Sequence, residues 1–350
     1  MQLSAQRSTP GEWQHPALHP VYLRLLCALL TQRGIDPEPL LGQAQLARSA
    51  IDGDGLLAFA PVHALIQAAL ERSACPWLGL QFGAAAHLHT HGNVGNAVIA
   101  SGTLESALQT FVRHAGLRTR AVRFLLEQDE TVTRLRLIPA FDLGNGFGFM
   151  RDALLVIVER MLEALCGQRL RGARYQLPDP RPAWAARYAE FLNGQLEFDV
   201  AGWPTLTFDR QWLKQPCLTA NAQAQGLALL ECERERDRME HAATLTQRVQ
   251  SLLQACGEQF PSALQTARQL RVSQRSLFRR LAEESTSFRD LVDRQRSERA
   301  CWMLTHTDLP IERIAERLGY ADPSNFSRSF RRWNGVTPRT FRRHPPLPSA

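Results

Sequence analysis

Residues Ile311–Phe341 read IERIAERLGYADPSNFSRSFRRWNGVTPRTF. Ile311 to Leu318 predicts a short helix, Gly319-Tyr320 a turn, and Asp322 to Trp333 a second helix. Asp322 suits the N-cap, and Pro323 suits the first helical position, where a backbone N–H would have no partner anyway. Phe326 and Phe330, four residues apart, fall on one face and point inward, leaving Arg328, Arg331 and Arg332 elsewhere. The same pattern stands upstream. Leu264 to Leu270 predicts a helix, Arg271-Val272-Ser273 a tight turn, and Gln274 to Glu283 a second helix capped by Ser273. There Leu277 and Leu281 face inward and Arg275, Arg279 and Arg280 outward. Matching Arg279 with Arg328 sets the two second helices 49 residues apart.

Between the repeats, Phe288, Leu291, Val292, Ala300, Met303 and Leu304 form an apolar stripe over Phe288 to Leu304. About 17–19 residues of helix span roughly 26–29 Å. Successive major-groove exposures on one face of DNA lie about 34 Å apart. A rigid connector of that length, with its adjacent turns, can hold two recognition helices in consecutive grooves. The charge agrees. Residues 261–344 hold 17 Arg, no Lys and 9 acidic residues, whereas the remainder holds 24 basic and 25 acidic residues. A cationic module on a near-neutral body points to a polyanionic partner. One helix-turn-helix pattern would weigh no more than a helical bundle with surface arginines; two in tandem, without matching acid, favour DNA.

Residues 261–343 resemble the AraC/XylS-type DNA-binding domain. The matching stretches are VSQRSLFRRLAEESTSFRDLV (Val272–Val292) and LPIERIAERLGYADPSNFSRSFRRWNGVTPRTFR (Leu309–Arg342). The resemblance implies double-stranded promoter DNA and RNA polymerase as partners, with recognition helices at Gln274–Leu281 and Pro323–Arg332. It implies base reading by Gln274, Arg275, Phe278 and Arg279 in the first helix and by Ser324, Asn325 and Arg328 in the second. Ser273, Arg280, Arg331, Arg332 and Arg339 are then phosphate contacts. Phe278 departs from the polar residue expected at a base edge; it either touches a thymine methyl or packs.

The rest of the chain reads as a mixed domain. Val21 to Arg33, Pro61 to Arg72, Thr103 to His114 and Phe149 to Cys166 carry helical stripes, with Thr103 as an N-cap and Gly34 and Gly167 as stops. Ala121 to Pro139 alternates around Gln128-Asp129-Glu130, a hairpin signal. Arg174 to Leu177 and Gly194 to Phe208 read as strands, and Trp184 to Phe191 as a short helix. The stretches GLQFGAAAHLHTHGNVGNAVIASGTLESAL (Gly79–Leu108) and QLEFDVAGWPTLTFDRQWLKQP (Gln195–Pro216) are similar to an arabinose-binding-like sensing domain. That resemblance implies a small-molecule effector, not necessarily a sugar, and a homodimer.

The expected architecture is an α+β N-terminal effector domain followed by an all-α C-terminal domain with two helix-turn-helix motifs joined by a linker helix. The expected partition is a frayed tail over 1–19, an effector domain over 20–225, a solvated charged helical linker over 226–244 around ECERERDRMEH (Glu231–His241), the DNA-binding domain over 245–344, and a Pro-rich tail over 345–350.

A hydrophobic fraction of 44% and a charged fraction of 21% exclude wholesale disorder. The apolar run Val21–Leu30 is too short for a membrane and carries Arg24. Met1 to Pro16 lacks a signal-peptide core, so a cytoplasmic, nucleoid-associated protein is expected. Seven cysteines without Cys-x-x-Cys spacing read as reduced thiols without a structural zinc. His87, His89 and His91 would share one face of a strand and could meet a metal. Their turn-rich setting, with no nearby carboxylate to orient them, favours exposed polar residues instead. Gly144 to Gly148 lacks the full phosphate-loop pattern and reads as a turn. Trp184, Trp203 and Trp212 read as core by default. Asp142, Arg151 and Trp203 are the candidate ligand anchors. No catalytic motif, metal site or cofactor site is apparent, so no enzyme is expected. A ligand-free dimerisation scaffold and an enzyme domain are the alternatives for the N-terminal part.

Overall fold

The computed structural model describes residues 12–242, 244–256, 260–284, 286–306, 309–320 and 322–343. The chain forms two compact units, the larger ending at Asp237 and the smaller beginning at Arg238. The larger unit opens with β1 (Pro16–Leu18), α1 (Pro20–Gln32), α2 (Glu38–Gln43), α3 (Arg48–Asp52), β2 (Leu57–Ala58), α4 (Phe59–Ser73) and α5 (Leu78–Ala85). It continues with α6 (Gly92–Ile99), α7 (Leu104–His114), β3 (Val122–Gln128), β4 (Val132–Pro139) and α8 (Gly146–Cys166). Then follow β5 (Ala173–Gln176), β6 (Gly194–Glu197), β7 (Thr205–Asp209) and α9 (Ala222–Ala242). The main sheet has the order β3-β4-β7-β5-β6 and is antiparallel except between β5 and β6.

Local chemistry accounts for the element ends. The His19 side chain accepts from Val21 N at the start of α1, and Thr103 accepts from Ser106 N at the start of α7. The hairpin pairs Phe124 with Leu137 and Leu126 with Leu135, so the alternating apolar residues share a face. Asp129 closes its turn by accepting from the Thr131 and Val132 amides, each at 2.9 Å.

The core centres on α8, which is buried on nearly every side from Phe149 to Leu165. α5 lies against it because Gly79 and Gly83 present no side chain at the crossing. A Cβ on Gly79 would stand 2.5 Å from Phe149 O, and one on Gly83 2.5 Å from Ala153 O. The GLQFG segment is thus a packing device, set by backbone approach.

Two expected boundaries are corrected. Residues 12–19 are not a frayed tail. Trp13 Nε1 donates to Asp142 O at 2.8 Å, its ring lies 4.4 Å from that of His63, and Ala17 is fully buried in β1. Residues 1–11 of that expected tail, and the tail over 345–350, lie outside the described residues. The expected linker over 226–244 is not solvated throughout. Ala228 and Cys232 of α9 are buried, and Glu235 forms a bidentate ion pair with Arg118. α9 therefore belongs to the larger unit as far as Asp237, and residue 243 lies outside the described residues.

The smaller unit is all-helical: α10 (Leu245–Ala255), α11 (Ala263–Gln269), α12 (Gln274–Glu283), α13 (Phe288–His306), α14 (Ile311–Arg317), α15 (Pro323–Asn334) and α16 (Pro338–Arg343). Among the described residues no helix is long and apolar enough to cross a membrane.

Two glycines of the larger unit should separate sharply on substitution. Gly83→Ala is expected to lower stability by about 1–3 kcal/mol, because its methyl meets backbone that cannot yield. Gly148→Ala has nothing within 4 Å of the new methyl and should be neutral or stabilise by about 0.5–1 kcal/mol through helix propensity. Chemical denaturation of both variants reads the difference.

Candidate nucleic-acid interface

Each half of the smaller unit is a helix-turn-helix with its own core. In the first, α11 starts on a capping box made by Ser262 and Gln265, and α12 starts on Ser273, whose side chain accepts from Ser276 N at 3.1 Å. Leu277 and Leu281 of α12 are fully buried among Leu245, Val249, Leu253 and Ala267. In the second half, Asp322 accepts from Ser324 N at 2.8 Å to start α15. Phe326 and Phe330 are fully buried, 5.7 Å apart between ring centres, and Phe341 of α16 lies 5.3 Å from Phe330.

The two turns match in backbone. Val272 N donates to Ala267 O at 3.0 Å, and Tyr320 N donates to Ala315 O at 2.9 Å. The residue before each donor is left-handed: Arg271 at φ +55° and Gly319 at φ +79°. These points are offset by 48 residues, whereas the buried pairs Leu277/Phe326 and Leu281/Phe330 are offset by 49. The second turn therefore holds one extra residue. Arg271 holds a conformation that favours glycine.

α13 joins the halves. Leu291 and Val292 enter the first core, and Ala300, Met303 and Leu304 enter the second. Between them Arg296 stacks over Phe260 and Tyr320, at 5.5 and 5.0 Å from the ring centres. α10 is fixed at both ends. Glu284 accepts from the Leu245 and Thr246 amides at 3.0 and 2.8 Å, and Arg299 donates to Leu253 O and Cys256 O at 3.0 and 2.6 Å. Each charge has the sign that a helix end favours. Nothing in the helical periodicity flagged Arg296, Arg299 or Glu284, because their partners are distant in sequence.

The structure brings the candidate side chains to two exposed helix faces. Gln274, Arg275, Phe278 and Arg279 are all exposed on α12, and Ser324, Asn325 and Arg328 on α15. Phe278 is 46% exposed, so it does not pack inside its own domain. Arg279 pairs with Glu283 at 2.6 Å on the open surface, a contact of small net value that a ligand can displace. Arg328 donates to Asn325 Oδ1 at 2.6 Å, so these two act as one hydrogen-bonding unit. Of the phosphate candidates, Ser273, Arg280, Arg331, Arg332 and Arg339 are likewise exposed. Arg332 is partly committed, with Nη2 2.8 Å from Asp293 of α13.

The larger unit places its candidates differently. Arg151 is buried and fully engaged: Nε donates to Asp152 at 2.8 Å, Nη2 to Tyr188 at 3.1 Å and Nη1 to Asp179. Burial pushes the Asp152 carboxyl above its usual range, against the pull of this guanidinium. Arg151 is thus a tie between α8 and the 179–188 segment, not an open ligand anchor. Asp142 Oδ1 accepts from Gly144 N at 2.8 Å and shapes the turn into α8. Trp203 O accepts from Thr205 at 2.7 Å in the loop before β7. Trp184 and Trp212 pack against the core.

An apolar cavity of about 50 Å³ lies instead among α1, α4, α5 and α8, lined by Leu23, Leu65, Ile66, Phe82 and Phe149 among others. None of Asp142, Arg151 and Trp203 lines it. The three histidines are not on a strand. His87 and His89 are exposed, whereas His91 ends the 3-10 turn Leu88–His91, is buried and bonds Tyr22 at 2.8 Å. Among the described residues no group of three His, Cys, Asp or Glu could hold a metal. All seven cysteines are free thiols.

Residues 34–217 match the family model described as the arabinose-binding domain of AraC transcription regulator, N-term. Residues 266–344 match a helix-turn-helix domain model. The chain belongs to the AraC-type transcription regulators. This AraC-type regulator is similar to the ornithine utilization regulator of Pseudomonas aeruginosa, at 31% identity over 93% of this chain and 96% of that one. It is also similar to an uncharacterised HTH-type transcriptional regulator of Mycobacterium tuberculosis, at 30% identity over 93% and 96% of the two chains. Among solved structures it matches the transcriptional regulator CdpR of Pseudomonas aeruginosa, with a TM-score of 0.47 and 25% identity over 92% of this chain and 98% of that one. The regulator is a DNA-binding transcription factor in which an α+β sensing domain precedes an all-helical reader.

The Asp322 cap is expected to set the start of the second reader helix. Asp322→Ala should destabilise the regulator by about 1 kcal/mol. Amide exchange at Ser324 and Asn325 should quicken, while exchange in α12 stays as it was.

Proposed function

We propose that the regulator inserts α12 and α15 into consecutive major grooves of one operator and activates transcription with RNA polymerase in response to a small effector. The observation that carries this reading is the pair of capped helices, each with an exposed Arg-rich polar face, built onto the single helix α13. Gln274, Arg275 and Arg279 read base edges from the first helix, and Ser324, Asn325 and Arg328 from the second. Bidentate Arg-to-guanine contacts are the natural chemistry for Arg279 and Arg328. Phe278, exposed among polar neighbours, meets a thymine methyl.

Ser273, Arg280, Arg331, Arg332 and Arg339 hold phosphates and fix register. Arg332 serves in both capacities, keeping α15 on α13 through Asp293 while facing the backbone of the DNA. Residues 12–237 form the effector domain, which works by binding and not by turnover. Effector binding shifts the balance between two states of differing operator affinity. The working form is a homodimer located with the nucleoid in the cytoplasm.

Footprinting and equilibrium binding on promoter fragments test the reading. Arg279→Ala and Arg328→Ala should each cost about 1–3 kcal/mol on the specific site and relax preference at one base position. Arg331→Ala should weaken all sequences alike and flatten the salt dependence by about one ion. Equal losses on specific and random DNA for Arg279→Ala and Arg328→Ala would refute their base-reading roles.

A further inference from the structure

The apolar cavity of about 50 Å³ among α1, α4, α5 and α8 is lined almost entirely by apolar side chains. Its depth is formed by buried aliphatic and aromatic side chains, Leu23, Leu26, Leu65 and Ile66 with Phe82. Its partly exposed lining residues are Leu18, Tyr22 and Leu154, which mark the mouth. The polar side-chain groups in the lining are the hydroxyls of Tyr22 and Thr119, and the Thr119 hydroxyl is already bonded to Ala17 O and Ala121 N at 3.3 and 3.2 Å. Such walls offer nothing to a sugar or a charged head, whose unpaired polar groups would lose their hydration. They suit methylene groups, which leave water favourably for such a lining.

The mouth is wired to α9. Tyr22 OH lies 2.8 Å from His91 Nδ1. Burial, with the Arg118 charge nearby, holds the His91 imidazole down at about 4, so at neutral pH it is uncharged and its Nδ1 shares a hydrogen bond with the tyrosine hydroxyl. The next residue, Gly92, has φ +57° and backs onto the Arg118 guanidinium, where a Cβ would stand 3.1 Å from Nη2. The residue after that, Asn93, donates to Glu235 Oε2 at 3.4 Å. Arg118 holds the same Glu235 carboxylate through Nη2 at 2.6 and 2.7 Å. Three consecutive residues therefore touch the cavity wall, the buried arginine and the helix that runs on into the DNA-binding unit. A buried ion pair of this kind tolerates little displacement, since separating it strands both charges.

We infer that this cavity is the effector site, that it takes the end of an aliphatic chain, and that Tyr22 signals its occupancy through His91-Gly92-Asn93 and Arg118 to Glu235 on α9. The inference rests on the reading of the larger unit as a small-molecule sensor and names its ligand class and its route. A chain entering past Leu18 and Leu154 has to move the Tyr22 ring. Moving the ring shifts the His91 turn that seats Arg118 and Asn93 against Glu235.

The test uses the full-length protein with 1-decanol as probe, 1-butanol and arabinose as controls, and hydrogen exchange over 226–242 as readout. Decanol should raise the melting temperature saturably and alter exchange in α9, and the controls should do neither. Leu154→Trp should abolish decanol binding; Leu18→Trp replaces it if that variant does not fold. Tyr22→Phe keeps the apolar wall and should bind decanol with loss of the α9 response. Gly92→Ala should loosen α9 without any probe. No saturable decanol binding, or binding unaffected by the mouth variants, overturns the assignment of the cavity. Binding without an α9 response, or an unchanged response in Tyr22→Phe, overturns the route. Promoter footprints taken without probe score the regulator reading separately, so either failure here leaves that reading standing or falling on its own data.

Discussion

One helix belongs to two cores. α13 places Leu291 and Val292 in the first helix-turn-helix and Ala300, Met303 and Leu304 in the second. Neither half is large enough to bury much apolar surface by itself, and small cores are marginal. Sharing α13 gives each half a wall and fixes the register of one reader against the other. The Arg296 guanidinium, stacked between Phe260 and Tyr320, reinforces the junction where the two cores meet along the helix. A shift of α13 by one residue would rotate it by about 100° and remove both sets of side chains from their cores at once. This is why an extra residue in the second turn is tolerated: the turn adjusts, while the offset of the buried pairs is held.

The larger unit depends on a different constraint, the close approach of α5 to α8 at Gly79 and Gly83. α8 is so thoroughly enclosed that Arg151, Asp152 and Glu159 are enclosed with it. Arg151 and Asp152 satisfy each other and reach Tyr188, while Glu159 accepts from Tyr175 and from Asn193 N. These groups tie the 179–193 segment to the core, and the tie holds because each buried charge has an ion-pair or hydrogen-bond partner. The same rule holds at the edge of the unit, where Glu235 makes α9 part of the domain through Arg118.

Much of the reader is legible in the sequence. Apolar residues at four-residue spacing, Ser273 and Asp322 as caps and Gly319 as a turn are all local signals, and the helices form where those signals place them. The hairpin is legible for the same reason, since alternation and the Asp129 turn act over a few residues. At three places packing sets the surroundings of a charged or polar residue that the local pattern leaves open. Arg151 is buried because Asp152, Asp179 and Tyr188 surround it. His91 is buried because the 3-10 turn breaks the strand-like alternation with His87 and His89. The segment ECERERDRMEH is not all solvated, because Cys232 is buried along with Ala228 of the same helix and Glu235 pairs with Arg118. Trp13 shows the converse, an aromatic in an apparently polar tail that packs on His63 and Phe59.

The sequence alone determined the duplicated reader, its outward arginines and its excess of positive charge, because helix period, capping and composition are properties of neighbouring residues. Only the tertiary structure decided which charges are spent inside the protein, where the cavity lies, and that α9 is part of the sensing unit. Those outcomes depend on partners far apart along the chain, such as Arg118 with Glu235 or Tyr22 with His91, and no local pattern encodes a pairing that only packing creates.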